Sequence, residues 1–121
     1  MKFQPDAAAG TSITGYGAGW IAVNGERFDS SIVICSSGER FAWNCDTFDA
    51  LQAAHFAQLA TLGAELILFG SGERIRFPQP QWLQALYAQR IGVETMDTQA
   101  ACRTFNFLAA EGRKVVAAIL L

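Results

Sequence analysis

The chain has 121 residues, of which 51% are apolar and 17% charged, which suits one buried core and excludes a disordered polar tract. A net charge of −2 with nine scattered Lys and Arg residues leaves no basic footprint for nucleic acid or an anionic membrane surface. Three widely spaced cysteines, Cys35, Cys45 and Cys102, do not make a secreted disulfide framework and point to reduced thiols in a cytoplasmic protein. 

The opening "MKFQPDAAAG" has no apolar core and does not read as a signal peptide. The first 45 residues are rich in Gly, Ser and β-formers and predict three or four antiparallel strands. Asn24-Gly25 between "WIAV" and "ERF" is a strong hairpin signal, because a type I′ turn wants φ > 0 at both central positions. Ser37-Gly38 marks a second turn.

The period changes at Thr47. Phe48, Leu51, Ala54, His55, Leu59 and Leu62 recur at spacings of three and four, which predicts one amphipathic helix, capped by Asp46 or Thr47 and closed at Gly63. "ELILF" is a short continuous apolar run that fits a strand covered on both faces. "GSGERIRFPQPQ" is a loop, with Pro78 and Pro80 blocking a helix until about residue 81. A second helix follows with Trp82, Leu83, Leu86 and Ile91 inward and Gly92 at its end. "VETM" is a strand, "DTQAACRTFNFLAAEG" a third helix and "KVVAAIL" a last strand whose direction the pattern leaves open. The longest apolar run, "VVAAILL", is far short of the ~20 residues of a membrane helix, so no direct membrane insertion is expected.

Strand and helix alternate from Glu65 onward, which is the pattern of an α/β layer, with residues 65–69 parallel to residues 93–96 through a right-handed crossover. The whole of 1–121 is expected to form one three-layer α/β domain: a mixed central β-sheet with helices packed on it and an N-terminal antiparallel β section. Loops after the carboxyl ends of parallel strands share one edge of a sheet, the usual ligand edge of open α/β folds. Gly70, Ser71, Gly72 and Arg74 should therefore meet Asp97 and Thr98 there.

Each of these residues has an ordinary role beside a functional one. "GSGERI" starts like a dinucleotide fingerprint but has Ile75 in place of the third Gly, and no GK[ST] follows. A tight turn explains the glycines; an anion nest near Arg74 is the alternative. Asp97 or Thr98 serves as a helix cap. Cys102 lies about one turn in, beside the stripe of Ala101, Phe105 and Leu108, as a small buried thiol would; as a thiolate it would need a base and an oxyanion hole. The single histidine, His55, sits on an apolar face and Asn106 and Arg113 suit structural hydrogen bonds. No catalytic set and no paired carboxylates emerge, and neither a metal site nor a cofactor is implied.

The segments "GYGAGWIAVNGERF", "LILFGSGER", "IGVETMDTQAACRTFNFLAAEGR" and "VVAAILL" resemble a small α/β family of formerly unknown function, the Mth-type domains, which includes the mitochondrial respiratory complex I (NADH dehydrogenase) assembly factor 3. The resemblance covers nearly the whole chain and is most specific from Asp97 to Arg113. It implies a three-layer fold, a protein partner and no established catalytic activity. Two functions are thus carried forward. The first is a non-enzymatic binding or assembly module using the carboxyl-edge loops, possible also as a homo-oligomer through exposed Trp20 or Trp43. The alternative is a small-molecule or anion binder, or an enzyme of unfamiliar type, using the Gly70-Ser71-Gly72 loop and Cys102.

Overall fold

The computed structural model describes residues 10–121; the opening stretch read above for a signal peptide lies outside them. Among the described residues five strands precede residue 45, more than the three or four expected. β1 (Ile13–Gly17), β2 (Trp20–Val23) and β3 (Glu26–Phe28) form an antiparallel three-stranded sheet. β4 (Ile32–Cys35) and β5 (Arg40–Ala42) instead join the main sheet. The β2–β3 turn has Asn24 at φ 48° and Gly25 at φ 87°, the left-handed pair that a type I′ hairpin requires.

The main sheet is completed by β6 (Leu66–Gly70), β7 (Gly92–Met96) and β8 (Val115–Ile119), in the order β5-β4-β8-β6-β7. β6 runs parallel to β7, as expected. The last strand, whose direction the sequence left open, is parallel to β6 and antiparallel to β4 at the centre of the sheet.

Strand alternation then divides the core in two. Val33, Ile67, Phe69, Val116 and Ala118 face one way, with Trp43, Phe56, Leu59, Leu83 and Leu86 against them. Ile32, Ile34, Leu68, Val115, Ala117 and Ile119 face the other way, onto Ala101, Cys102 and Phe105 of the long helix and Ile13, Ile21 and Val23 of the small sheet. Because successive side chains point to opposite faces, a strand buried on both must be apolar throughout, as β6 and β8 are. The result is three layers: short helices, the mixed sheet, and the long helix with the small sheet.

The single helix expected from Thr47 is not formed. Residues Phe48–Ala50 make a 3-10 turn, α1 spans Ala53–Ala57, and Gln58–Thr61 is again 3-10. Neither Asp46 nor Thr47 caps it; Leu51 and Gln52 are extended, at φ −65°, ψ 143° and φ −140°, ψ 166°. There the chain restarts in a local turn, His55 N–H donating to Gln52 O at 3.0 Å while Gln52 N–H donates to His55 Nδ1 at 3.0 Å. This break exposes Ala54, expected inside, and buries Phe56.

The second helix is likewise short, a 3-10 turn at Pro80–Leu83 leading into α2 (Gln84–Ala88). It ends at Arg90, which is left-handed at φ 61°, and not at Gly92, which opens β7. Trp43 corrects the expectation of an exposed aromatic. It is 2% exposed, donates its indole N–H to His55 O at 3.2 Å, and meets Phe56 and Phe69 edge-on, a geometry that suits the charge distribution of aromatic rings. Trp20 is half-buried beneath Arg27, whose guanidinium lies 4.7 Å from the ring.

Candidate functional site

The carboxyl ends of β6, β7 and β8 lie along one edge of the sheet, and the loops leaving them are stitched together by backbone and hydroxyl hydrogen bonds. Ser71 N–H donates to Met96 O at 2.9 Å and Leu120 N–H to Gly70 O at 2.9 Å. Thr98 N–H donates to Gly72 O at 2.8 Å, Gly72 N–H returns to Thr98 Oγ1 at 3.0 Å, and the Thr98 hydroxyl donates to Leu120 O at 2.6 Å. Thr98 is therefore a clasp between three chain segments.

The Ser71 hydroxyl, 1% exposed, accepts Arg76 N–H at 2.9 Å and turns its single proton to Arg74 O or Met96 O, at 2.9 and 3.1 Å. The two glycines differ in purpose. Gly72 is left-handed, at φ 109°, and makes the turn that other residues enter with strain. Gly70 instead allows close packing, because a Cβ there would lie 2.8 Å from Ile119 Cδ1.

From this edge α3 (Thr98–Ala110) runs back across the sheet, with Asp97 as its N-cap and Asp97 Oδ1 accepting Ala100 N–H at 3.0 Å. Between the start of α3, the Gly72 loop and the β1–β2 turn lies an open groove of about 590 Å³, lined by Gly17–Gly19, Gly72, Glu73, Asp97, Thr98, Gln99 and Leu121. Its charged lining side chains are Glu73 and Asp97, both acids, and Arg74, which is exposed, does not line it. Two of the turn N–H groups, those of Ser71 and Gly72, are spent on Met96 O and Thr98 Oγ1.

Five of the eight sequence-derived candidates, Gly70, Ser71, Gly72, Asp97 and Thr98, converge at this edge, and three do not. Arg74 is exposed and does not line the groove. Cys102 is fully buried under the small sheet, and burial, outweighing the favourable charge of Arg103, pushes its thiol up to about 12. Asn106 forms a two-way clamp on β1, accepting Ile13 N–H through Oδ1 and donating through Nδ2 to Ile13 O, each at 2.8 Å. Arg113 pairs with Glu65. His55 is held by Asn44 O and Gln52 N–H, remote from the thiol in the chain and in the opposite layer. Cys35, Cys45 and Cys102 are free and buried, and among the described residues no group of three or more His, Cys, Asp or Glu could hold a metal ion.

Sequence reasoning missed the Gly17-Ala18-Gly19 wall and Leu121. The wall is carried there by Asn106 holding β1 on α3, a link between residues 93 apart in the chain that no local pattern displays. A Cβ on Gly17 would collide with the Trp20 indole folded over it, which is why this wall is bare backbone.

A second depression of about 460 Å³ opens at the opposite, amino edge, between Ser36, Gly63 and residues 112–116. Its cations have structural work: Arg113 pairs with Glu65, and Arg113 and Lys114 follow the C-terminal end of α3, where positive charge is favoured. The Ser36 hydroxyl there is also occupied, by Arg113 O and Val115 N–H.

The layers, the mixed sheet and the stitched carboxyl edge define a small α/β domain of the Mth938-like kind. A Bordetella pertussis protein described by that term, solved in solution, is 33% identical and superposes with a TM-score of 0.84 over 99% of this chain and 90% of its own. A Bordetella parapertussis crystal structure is 40% identical with a TM-score of 0.88, covering 95% of this chain and 98% of that one. Residues 13–120 match DUF498/DUF598, a family of proteins of unknown function, and the chain belongs to it. The human NADH dehydrogenase [ubiquinone] 1 alpha subcomplex assembly factor 3 is 32% identical over 119 residues, and the bovine protein of that name 30%. The alignment takes in 97% of this chain but 64% of the length of either relative.

Proposed function

We propose that this chain is a non-enzymatic binding and assembly module whose partner protein docks on the groove at the carboxyl edge of the main sheet. The observation that carries the reading is how that edge is built. The Ser71 and Thr98 hydroxyls and the Ser71 and Gly72 N–H groups are held in internal bonds, so it offers a preformed concave surface with two carboxylates. Preformed grooves of this kind suit recognition, since little order has to be gained on binding. The relatives named as complex I assembly factors support a role in assembling a multi-subunit complex, including a respiratory one. The buried free thiols fit a reducing compartment such as the cytoplasm. Among the described residues no helix is long and apolar enough to cross a membrane.

The test is affinity capture of the tagged chain from its native cells with mild crosslinking, beside Gln99→Arg and Asp97→Asn. Gln99 is exposed in the first turn of α3 and lines the groove; asparagine at 97 keeps the cap and removes the charge. Both variants should stay folded and lose a specific partner. Full retention of that partner by both, or no partner in any sample, would remove the groove from the account.

A further inference from the structure

The loop between β6 and α2 is inside out. From Ile75 to Pro78 burial alternates, with Ile75 at 49% and Phe77 at 70% exposure while Arg76 is half-buried and Pro78 buried. In a loop that meets only water the opposite arrangement is favoured, apolar side chains inward and the guanidinium out. Here Arg76 lies over Phe48, its guanidinium carbon 4.6 Å from the ring centroid, and its buried Nε has no hydrogen-bond partner among the described residues. Phe48 in turn abuts Trp82, with ring centroids 6.1 Å apart.

The inversion is not looseness. The Ser71 hydroxyl holds Arg76 N–H and can hold Arg74 O from within the loop, and Pro78 and Pro80 fix φ on either side of Gln79. Ile75 and Phe77 are thus presented together on a stiffened segment, in the combination of aromatic, aliphatic and arginine that dominates protein interfaces. Charge selects what covers them. Glu73 lines the groove, while Ile75 and Phe77 alternate along the chain with two cations, Arg74, exposed, and Arg76, half-buried.

We infer that residues 74–77 form a docking element for an apolar segment of a heterologous partner protein that carries carboxylates beside its apolar anchor. This rests on the assembly reading for the existence of a partner, and adds a second contact surface and the partner's chemistry. Ile75 and Phe77 would be covered by the partner's apolar residues, and the carboxylates would meet Arg74 and the edge of Arg76.

The experiment places the photocrosslinking residue p-benzoylphenylalanine at position 77 of the full chain in its native cells, and separately at Gln99 in the groove. The captured peptide is sequenced, synthesised with a fluorescent label and titrated by anisotropy. The expected peptide joins an apolar anchor to Asp or Glu, and its affinity falls at least about tenfold in both Phe77→Ser and Arg74→Glu, with weakening in added salt. Crosslinks from position 77 only to a second copy of this chain, or only to lipid, would overturn the inference, as would a captured peptide without carboxylates. Capture at 99 but not at 77 would overturn it while leaving the groove reading intact. Silence at both positions would sink both.

Discussion

Replacing Gly70 by alanine tests the stitched edge most directly. The added Cβ would lie 2.8 Å from Ile119 Cδ1, 3.2 Å from Thr98 Oγ1 and 3.3 Å from Ala101 Cβ. Ordinary contact begins near 3.4 Å, so the Ile119 Cδ1 has to move by about 0.6 Å, within a side chain that is fully buried in the central strand. Gly70 has no left-handed backbone to lose, so the whole effect is overpacking. Overpacking of this kind costs about 1–3 kcal/mol, and at about 4 °C per kcal/mol for a domain of this size the melting temperature should fall by roughly 4–12 °C. Ile119→Val removes the closest atom at a cost of about 0.5–1.5 kcal/mol by itself. In a double-mutant cycle by urea unfolding, the pair should therefore be less destabilised than the sum of the singles. A Gly70→Ala protein as stable as wild type would refute the packing argument, and strict additivity would show that Ile119 is not the obstacle.

Asn106→Ala removes both arms of the clamp on Ile13 and leaves its N–H and carbonyl without their partner; a loss of about 1–3 kcal/mol is expected, with faster hydrogen exchange along β1 as the local readout. For Cys102 the sign of the pH dependence follows from the raised pKa, 9.0 for an ordinary thiol against about 12 in the folded chain. Between those values the folded state holds the proton and the unfolded state releases it. Stability is therefore fully present below pH 9 and is lost as the pH rises toward 12. Cys102→Ala should flatten that part of the alkaline curve, and iodoacetamide at pH 8 should modify Cys102 only after unfolding; rapid alkylation of the native protein would contradict the burial.

The features that the sequence displayed were those set by neighbours in the chain. Asn24-Gly25 announced its turn because the turn needs two left-handed residues and nothing further. Asp97 announced α3 because a cap acts within one helical turn. "ELILF" showed its double burial because both faces had to be apolar. The failures have a different origin. The spacing of Phe48, Leu51, Leu59 and Leu62 imitates a helix, yet those residues reach the core from two separate 3-10 turns on either side of α1, and at the break His55 Nδ1 accepts Gln52 N–H, filling the place where a capping box has Glu or Gln. Trp43 looked available for an interface because its partners, Phe56 and Phe69, come from α1 and β6. At the functional edge the meeting of residues 70–72 with 97–98 followed from parallel strands alone, whereas Leu121 and the bare wall of residues 17–19 depended on the direction of β8 and on the Asn106 clamp. The prolines at 78 and 80 marked a loop but gave no sign that it presents its apolar side chains outward.

β8 has a consequence for how the molecule comes into being. It is bonded on one side to β4 and on the other to β6, with Ile32 opposite Ile119 and Leu66 opposite Val115. Until residues 115–119 have been synthesised, the segments made earlier have no central strand to join them. The β4–β5 hairpin and the β6–β7 pair then each carry an open flank of unpaired N–H and C=O groups, the surface that recruits strands from other chains. Pairing β4 with β8 closes a loop of some eighty residues, and contacts so distant in sequence slow folding. The finished sheet is thus assembled from its middle last, and a nascent or truncated chain is the form of this protein most exposed to aggregation.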